Sequence, residues 1–426
     1  MIREVILKQK FEKEQFLTAG YIERGKTSFV KSWLESNLIK VIIGPRRAGK
    51  SVFAFMLLKE QPFIYFNFDD EIFMGNAQVN TDELMKELHA VYGGIKTILF
   101  DEIQNLPKWE LFINRLQREG YNLIITGSNA KLLSKELATV LTGRHIPIEI
   151  MPFNFKEFLL AKNYKVNYEL MSIPQKRGEL LNLVKEYLIR GGFPEVIVKN
   201  FDTKVYLGTL FDSILFKDVV KRYKVRSSSE ISALATFLVN NFSNYYSLRK
   251  LKEILSLRSV TTVEKYIGYL EEAYLISHLE LFSYKTSQKI KSPKKVYVVD
   301  NGYINAKATR FSIDVGKLME NLVFNELMKR GFKPNYDLFY YETRNGREVD
   351  FAIKKDFKVT ELIQVSYKTY EIDTEEREIK SLLEASEELK VELLTILTWD
   401  EEKNVEKEGK IIRFVPLWKW LLQREE

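Results

Sequence analysis

Short apolar runs alternate with stretches of helical periodicity across residues 1–150. Ile39–Ile43, Phe63–Phe68, Ile98–Asp101 and Leu123–Thr126 read as buried strands, each ending in polar residues or glycine. Amphipathic helices between them predict an α/β unit with a parallel sheet, whose ligands lie at the C-terminal strand ends. The pattern changes over 151–240, which read as mostly helical, with a break at Gly191-Gly192-Phe193-Pro194. Within 241–310, helices at Leu248–Leu255 and Val260–Ala273 precede strand-like Leu275–Phe282 and Val296–Asp300, the order of a winged helix-turn-helix. Residues 311–426 predict a further α/β unit. It has a helix from Gly316 to Arg330 and strands at Leu338–Glu342, Glu348–Ile353 and Leu362–Val365. A helix at Thr374–Leu389 and a strand at Glu392–Thr398 complete it.

The candidate chemistry begins where the first strand ends. Gly44-Pro45-Arg46-Arg47-Ala48-Gly49-Lys50-Ser51 fits GxxxxGK[ST] at every fixed position, and Val52 continues into a helical run. Such a loop wraps its backbone N–H groups around phosphates at a helix N-terminus. Lys50 would reach the terminal phosphates and the Ser51 hydroxyl would ligate Mg²⁺, so ATP and magnesium are the expected ligands. Thr97-Ile98-Leu99-Phe100-Asp101-Glu102 delivers two carboxylates at a strand end. Asp101 is expected to hold the magnesium through water and Glu102 to polarise the attacking water. Asn129, in competition with Ser128, is placed to sense the γ-phosphate. Arg144 is a candidate arginine finger toward a neighbouring subunit, which would make the protein a homo-oligomer; a surface salt bridge is the other reading.

Composition narrows the setting. Cysteine is absent and only His89, His145 and His278 occur, which excludes thiol chemistry and a cysteine- or histidine-rich metal centre. No apolar run approaches the ~20 residues of a membrane span. The opening residues lack a signal peptide's apolar middle, so the cytoplasm is the expected location. A net charge of +7 favours polyanionic partners.

With these motifs the chain resembles a family of bacterial and archaeal AAA-like ATPases that carry a C-terminal domain of unknown function. The likeness runs through the phosphate loop, Leu99–Leu106, Ile125–Asn129 and Gly143-Arg144. It continues through Pro152–Phe158, Gly191–Glu195 and Lys217-Asp218-Val219, and so covers nearly the whole chain. The resemblance implies an AAA+ P-loop ATPase core at 1–150 and a helical lid at 151–240. A winged-helix domain at 241–310 and a C-terminal domain at 311–426, similar to the PD-(D/E)xK nuclease fold, follow. In that fold a helix acid, a strand aspartate and a Glu-x-Lys strand hold magnesium and aid the nucleophile. Glu320 and Asp350 match the first two positions. Gln364 and Ser366 stand where Glu and Lys are expected. Lys368 shares their face one strand step on, about 7 Å away. The domain therefore reads as a binding module rather than a working nuclease.

Thr261, Thr262, Lys265 and Tyr266 on the second helix, with Lys285, Lys289, Lys291, Lys294 and Lys295 in the following loop, form a candidate DNA surface. The expected activity is magnesium-dependent ATP hydrolysis coupled to DNA binding or remodelling. The alternatives are an ATP-gated nuclease and a STAND-like switch acting on a protein partner.

Overall fold

The computed structural model describes residues 2–70, 80–128, 143–309, 314–367 and 372–423. The chain divides into two compact units, Met1–Phe153 with Glu272–Tyr274 and Asn154–Glu271 with Leu275–Glu426.

In the first unit, strands β1 (Ile39–Ile43), β2 (Ile64–Asn67), β3 (Thr97–Asp101), β4 (Asn122–Gly127) and β5 (His145–Glu149) make a parallel sheet of order β2-β3-β4-β1-β5. The helices are α1 (Ile2–Thr18), α2 (Thr27–Lys31), α3 (Lys50–Leu58), α4 (Thr81–Tyr92) and α5 (Trp109–Arg118). Strand alternation sends Ile42, Tyr65, Leu99, Ile124 and Ile148 into one core with Phe53, Leu57 and Leu58 of α3. Phe100 points to the other face, where its ring lies 5.5 Å from Phe112 of α5. Four of these strands follow the expected pattern. β5 was not expected, because Pro147 interrupts its apolar run. The proline is tolerated because β5 is the edge strand, paired with β1 (Val41 opposite Pro147) and with nothing on its other side among the described residues.

The second unit opens with helices α6 (Phe155–Ala161), α7 (Pro174–Arg190), α8 (Thr203–Ile214) and α9 (Ser228–Asn240). A π-helical turn at Leu215–Lys221 carries the Lys217-Asp218-Val219 motif. The predicted break at Gly191 is present. Gly191 has φ 72° and caps α7, and a Cβ there would lie 1.7 Å from Asp300 Oδ1. The buried Asp300 accepts the N–H groups of Gly192 and Gly302, each at 2.8 Å. The double glycine is thus a socket for a carboxylate.

Beyond it lie β6 (Asn244–Tyr246), α10 (Leu248–Ile254), α11 (Val260–Glu272), β7 (Ile276–Leu279), β8 (Lys294–Val298) and α12 (Asn301–Lys307). The three strands pair antiparallel in the order β6-β8-β7. Helix α13 (Val315–Lys329) precedes a six-stranded mixed sheet, order β13-β14-β12-β11-β10-β9. Its strands are β9 (Leu338–Glu342), β10 (Glu348–Lys355), β11 (Lys358–Ser366), β12 (Leu393–Thr398), β13 (Lys403–Lys407) and β14 (Lys410–Pro416). Helix α14 (Ile372–Leu389) lies between β11 and β12, and α15 (Leu417–Leu421) follows β14. Ile379, Leu382, Leu383 and Ala385 of α14 pack on Ala352, Leu362, Leu394 and Ile396 of the sheet. Asn321 of α13 fixes this helix to β8: it accepts from the Val298 N–H at 2.8 Å and donates to the Val298 carbonyl at 2.9 Å.

The lysines counted above as one exposed loop do not form one. Lys289 and Lys294 pair with Glu280 at 3.1 and 3.2 Å, and Lys295 is buried on β8. Only Lys285 and Lys291 of the five are exposed. Tyr266 is half-buried, its hydroxyl 3.5 Å from Glu230, whereas Thr261 and Lys265 are exposed.

Beside these lysines, His278 bonds Glu271 and lies 3.8 Å from Glu280 and 3.3 Å from Lys294. Burial and Lys294 oppose its charge, but the two carboxylates prevail and hold it up to about 9. A raised folded-state pKa contributes stability that is fully present below the ordinary value of 6.5 and lost as pH rises through about 9. His278→Gln should therefore cost on the order of 2 kcal/mol at pH 6 and much less at pH 10. Urea unfolding at the two pH values checks the difference; equal losses would contradict it.

Candidate functional site

The first unit brings its two motifs together at the C-terminal edge of the sheet. β1 ends in the loop Gly44–Gly49, and Lys50 and Ser51 open α3. Gly44 has φ 142° and its ideal Cβ would sit 2.0 Å from the Ile150 carbonyl oxygen, so no side chain fits there. Gly49 turns the chain into α3 with φ 92°, and Arg47 is also left-handed at φ 67°. Pro45 and Ala48 are buried, Arg46, Gly49 and Val52 are half-buried, and Arg47 is exposed. The Lys50 ammonium is buried and donates to the Pro45 carbonyl at 2.9 Å, so it already lies inside the loop.

Asp101 meets this loop from β3. Ser51 Oγ donates to Asp101 Oδ1 at 2.9 Å, joining residues fifty positions apart. Thr126 on β4, the strand between β1 and β3, also donates to that oxygen, and its hydroxyl accepts the Glu102 N–H at 3.0 Å. Burial, then the charge of Glu102, push the Asp101 carboxyl up to about 6, against the pull of Thr126, Ser51 and Lys50. The Lys50 charge only partly offsets this rise, and the Ser51–Asp101 donor set suits a hard divalent ion. Glu102 itself is half-buried in a left-handed conformation, φ 50° and ψ 45°, with its carboxylate held by the Gln104 amide. Such a backbone state in a non-glycine residue aims the side chain away from the strand line.

The remaining candidates separate. Ser128, at the end of β4, is buried and its hydroxyl has no hydrogen-bond partner among the described residues. Asn129 lies outside the described residues, as does Lys368. Arg144 is exposed, and its carbonyl accepts the Ile39 N–H at 2.9 Å. That puts it at the start of β1, one five-residue strand, about 16 Å, from the phosphate loop of its own chain. Two residues escaped the sequence reading. Thr126 looked like an ordinary strand residue, although its place in the central strand beside two acids was a usable signal. Arg24 is buried, donates to the Ala48 carbonyl at 3.0 Å and to the Met151 carbonyl, and so braces the back of the loop. Nothing in its local sequence marks it.

A second cluster lies in the second unit, in a cleft of about 760 Å³. Glu320 of α13, Asp350 of β10 and Gln364 of β11 meet there: Gln364 Oε1 accepts the Asp350 N–H at 3.1 Å and its amide donates to Glu378 at 2.6 Å. The lysine that joins them is Lys295 of β8, 2.6 Å from Glu320, 3.0 Å from Asp350 and in contact with Glu348. Among the described residues, no group of three or more histidine, aspartate or glutamate side chains is arranged to hold a metal ion.

Comparison with known proteins bears on both clusters. An AAA domain model matches residues 36–159, and two domains of unknown function, DUF8612 and DUF4143, match 181–313 and 315–420. The uncharacterized protein MJ1544 of Methanocaldococcus jannaschii is 41% identical over 401 residues, 91% of this chain and 88% of that protein. An uncharacterized protein of Haemophilus influenzae is 30% identical over 406 residues, 91% of this chain and 95% of its own length. The solved Walker-type ATPase PABY2304 of Pyrococcus abyssi aligns at 15% identity with a TM-score of 0.44, covering 67% of this chain and 95% of that one. Among the described residues no helix is long and apolar enough to cross a membrane.

Proposed function

This chain belongs to the family of AAA-domain proteins that includes MJ1544, and on that premise we propose that it is a magnesium-dependent ATPase. The observation that carries the reading is the 2.9 Å contact between Ser51 and Asp101, which unites the phosphate loop with the acid-bearing strand. Ser51 and Asp101 would hold Mg²⁺, whose charge offsets that of the phosphates. Lys50 would exchange the Pro45 carbonyl for phosphate oxygens. Glu102, oriented by Gln104 and by the Thr126–backbone bond, would take the proton of the attacking water at its carboxylate. The Ser128 hydroxyl, buried at the end of the central strand and without a hydrogen-bond partner among the described residues, supports a contact to the terminal phosphate from that side. Arg144 is about 16 Å from its own loop, so as an arginine finger it would act on a neighbouring copy; a surface salt bridge is the other reading.

Hydrolysis would be coupled to nucleic acid. The support is the net charge of +7 and the exposed Thr261, Lys265, Lys285 and Lys291 around the α10–α11 helix pair and the strands after it. The test is ATP turnover with and without single-stranded, duplex and branched DNA. Stimulation at least about three-fold by one form, lost as salt rises, is expected. Turnover indifferent to every DNA would point instead to a nucleotide-controlled switch with a protein partner.

A further inference from the structure

A nuclease-like fold would use the Glu320–Asp350 corner of the cleft to bind a divalent metal. The residues present do not fit that role, because a cation of the protein already stands there. Lys295 is only 3% exposed, and its Nζ lies 2.6 Å from Glu320 Oε1 and 3.0 Å from Asp350 Oδ1, with Glu348 as a third partner. An ammonium has three N–H donors and no acceptor, so three carboxylates exhaust it. No proton remains to activate a nucleophile, and no gap remains between the acids. The other Asp350 oxygen accepts the Val365 N–H at 3.0 Å. Glu320 Oε1 also accepts the Tyr297 hydroxyl at 2.7 Å. Gln364, where a third acid would contribute charge, is occupied with the Asp350 backbone and Glu378.

The lysine and its acids come from different parts of the family architecture. Lys295 lies in the region matched at 181–313, whereas Glu320, Glu348 and Asp350 lie in the region matched at 315–420. The Asn321–Val298 bonds hold β8 against α13 so that Lys295 faces Glu320.

We propose that Lys295 is a tethered cation that takes the place of a divalent metal in this cleft. The middle region thereby keeps the C-terminal carboxylate site metal-free, and the site accepts a divalent ion only when the ammonium is withdrawn. Removing one partner of a buried charge cluster leaves uncompensated buried charge, which must take up protons or another cation.

The test is Mn²⁺ binding to the nucleotide-free full chain, read by electron paramagnetic resonance, with Asp350→Asn assigning the signal to the cleft. Wild type should show no Asp350-dependent site up to about 1 mM Mn²⁺. Lys295→Met should gain one that fills at about 0.1 mM Mn²⁺ or below, at least about ten-fold under that limit, and that is lost again when Asp350→Asn is added. An Asp350-dependent Mn²⁺ site in wild type overturns the proposal, and that arm needs no variant of Lys295. A folded Lys295→Met protein without such a site overturns it equally. If Lys295→Met is unfolded alone, recovery of its folded circular dichroism in Mn²⁺ supports the proposal, and failure of Mn²⁺ to restore it counts as its refutation.

Discussion

Replacing Glu102 by Gln should leave ATP binding within about two-fold of wild type while lowering turnover by about 10²- to 10³-fold. The argument is geometric. Glu102 sits one residue beyond Asp101, and its φ of 50° turns its side chain off the strand line. Its backbone N–H is tied to Thr126 and its carboxylate to Gln104, so the group is held without being neutralised by a lysine or arginine in either bond. A Gln side chain keeps the shape and the amide partner but cannot accept the proton, so the loss falls on the chemical step at about 3–4 kcal/mol. On this account binding would rest on the Gly44–Gly49 loop, Lys50 and Ser51, which the substitution leaves alone. Turnover measured beside equilibrium binding of ATP separates the two. Equal losses in both would assign Glu102 to nucleotide binding instead.

The second large effect concerns folding. Gly191→Ala should destabilise the second unit by about 3 kcal/mol or more. An alanine at φ 72° and ψ −163°, a region essentially confined to glycine, costs about 1 kcal/mol or more by itself. The larger part comes from Asp300, whose Oδ1 would lie 1.7 Å and whose Cγ would lie 2.6 Å from the new Cβ. Asp300 is buried, and burial raises its carboxyl to about 6 while the Lys329 charge and the Gly192 and Gly302 N–H groups restrain the rise. Forcing it out of the socket breaks both N–H contacts and strands the carboxylate in the core. Asp300→Asn keeps the size but has one acceptor oxygen for two N–H donors, so it should lose one of the two contacts and cost less than Gly191→Ala. Chemical unfolding of the full chain checks the order; a loss below about 1 kcal/mol for Gly191→Ala would show that the socket opens freely.

The Gly44–Ser51 loop and the Asp101–Glu102 strand end, which the fold joins through Ser51 and Asp101, were legible because the expected chemistry demands residues in fixed order at the ends of strands that flank β4. Most strands and helices were legible for a similar local reason, their periodicity. What stayed hidden depends on distant partners. Pro147 disguised β5, because only its edge position makes a proline harmless. Arg24 reaches Ala48 and Met151 from a segment with no periodic signal. Lys295, next to Ser292-Pro293-Lys294, reads as one more loop lysine, yet its acids lie at Glu320, Glu348 and Asp350. The same spacing that predicted a basic wing placed Lys289 and Lys294 on Glu280. Charge runs reveal composition; only the tertiary fold decides which charges remain available to a partner.

The central claim is that the loop at Gly44–Ser51 and the acids at Asp101–Glu102 make one hydrolytic site. Steady-state ATP hydrolysis in magnesium, wild type beside Lys50→Ala, tests it most directly. The account predicts measurable turnover in the wild-type chain that falls at least about 10²-fold in the variant. Turnover that survives Lys50→Ala unchanged, or a folded wild-type chain that binds ATP and magnesium but never turns over, would contradict it.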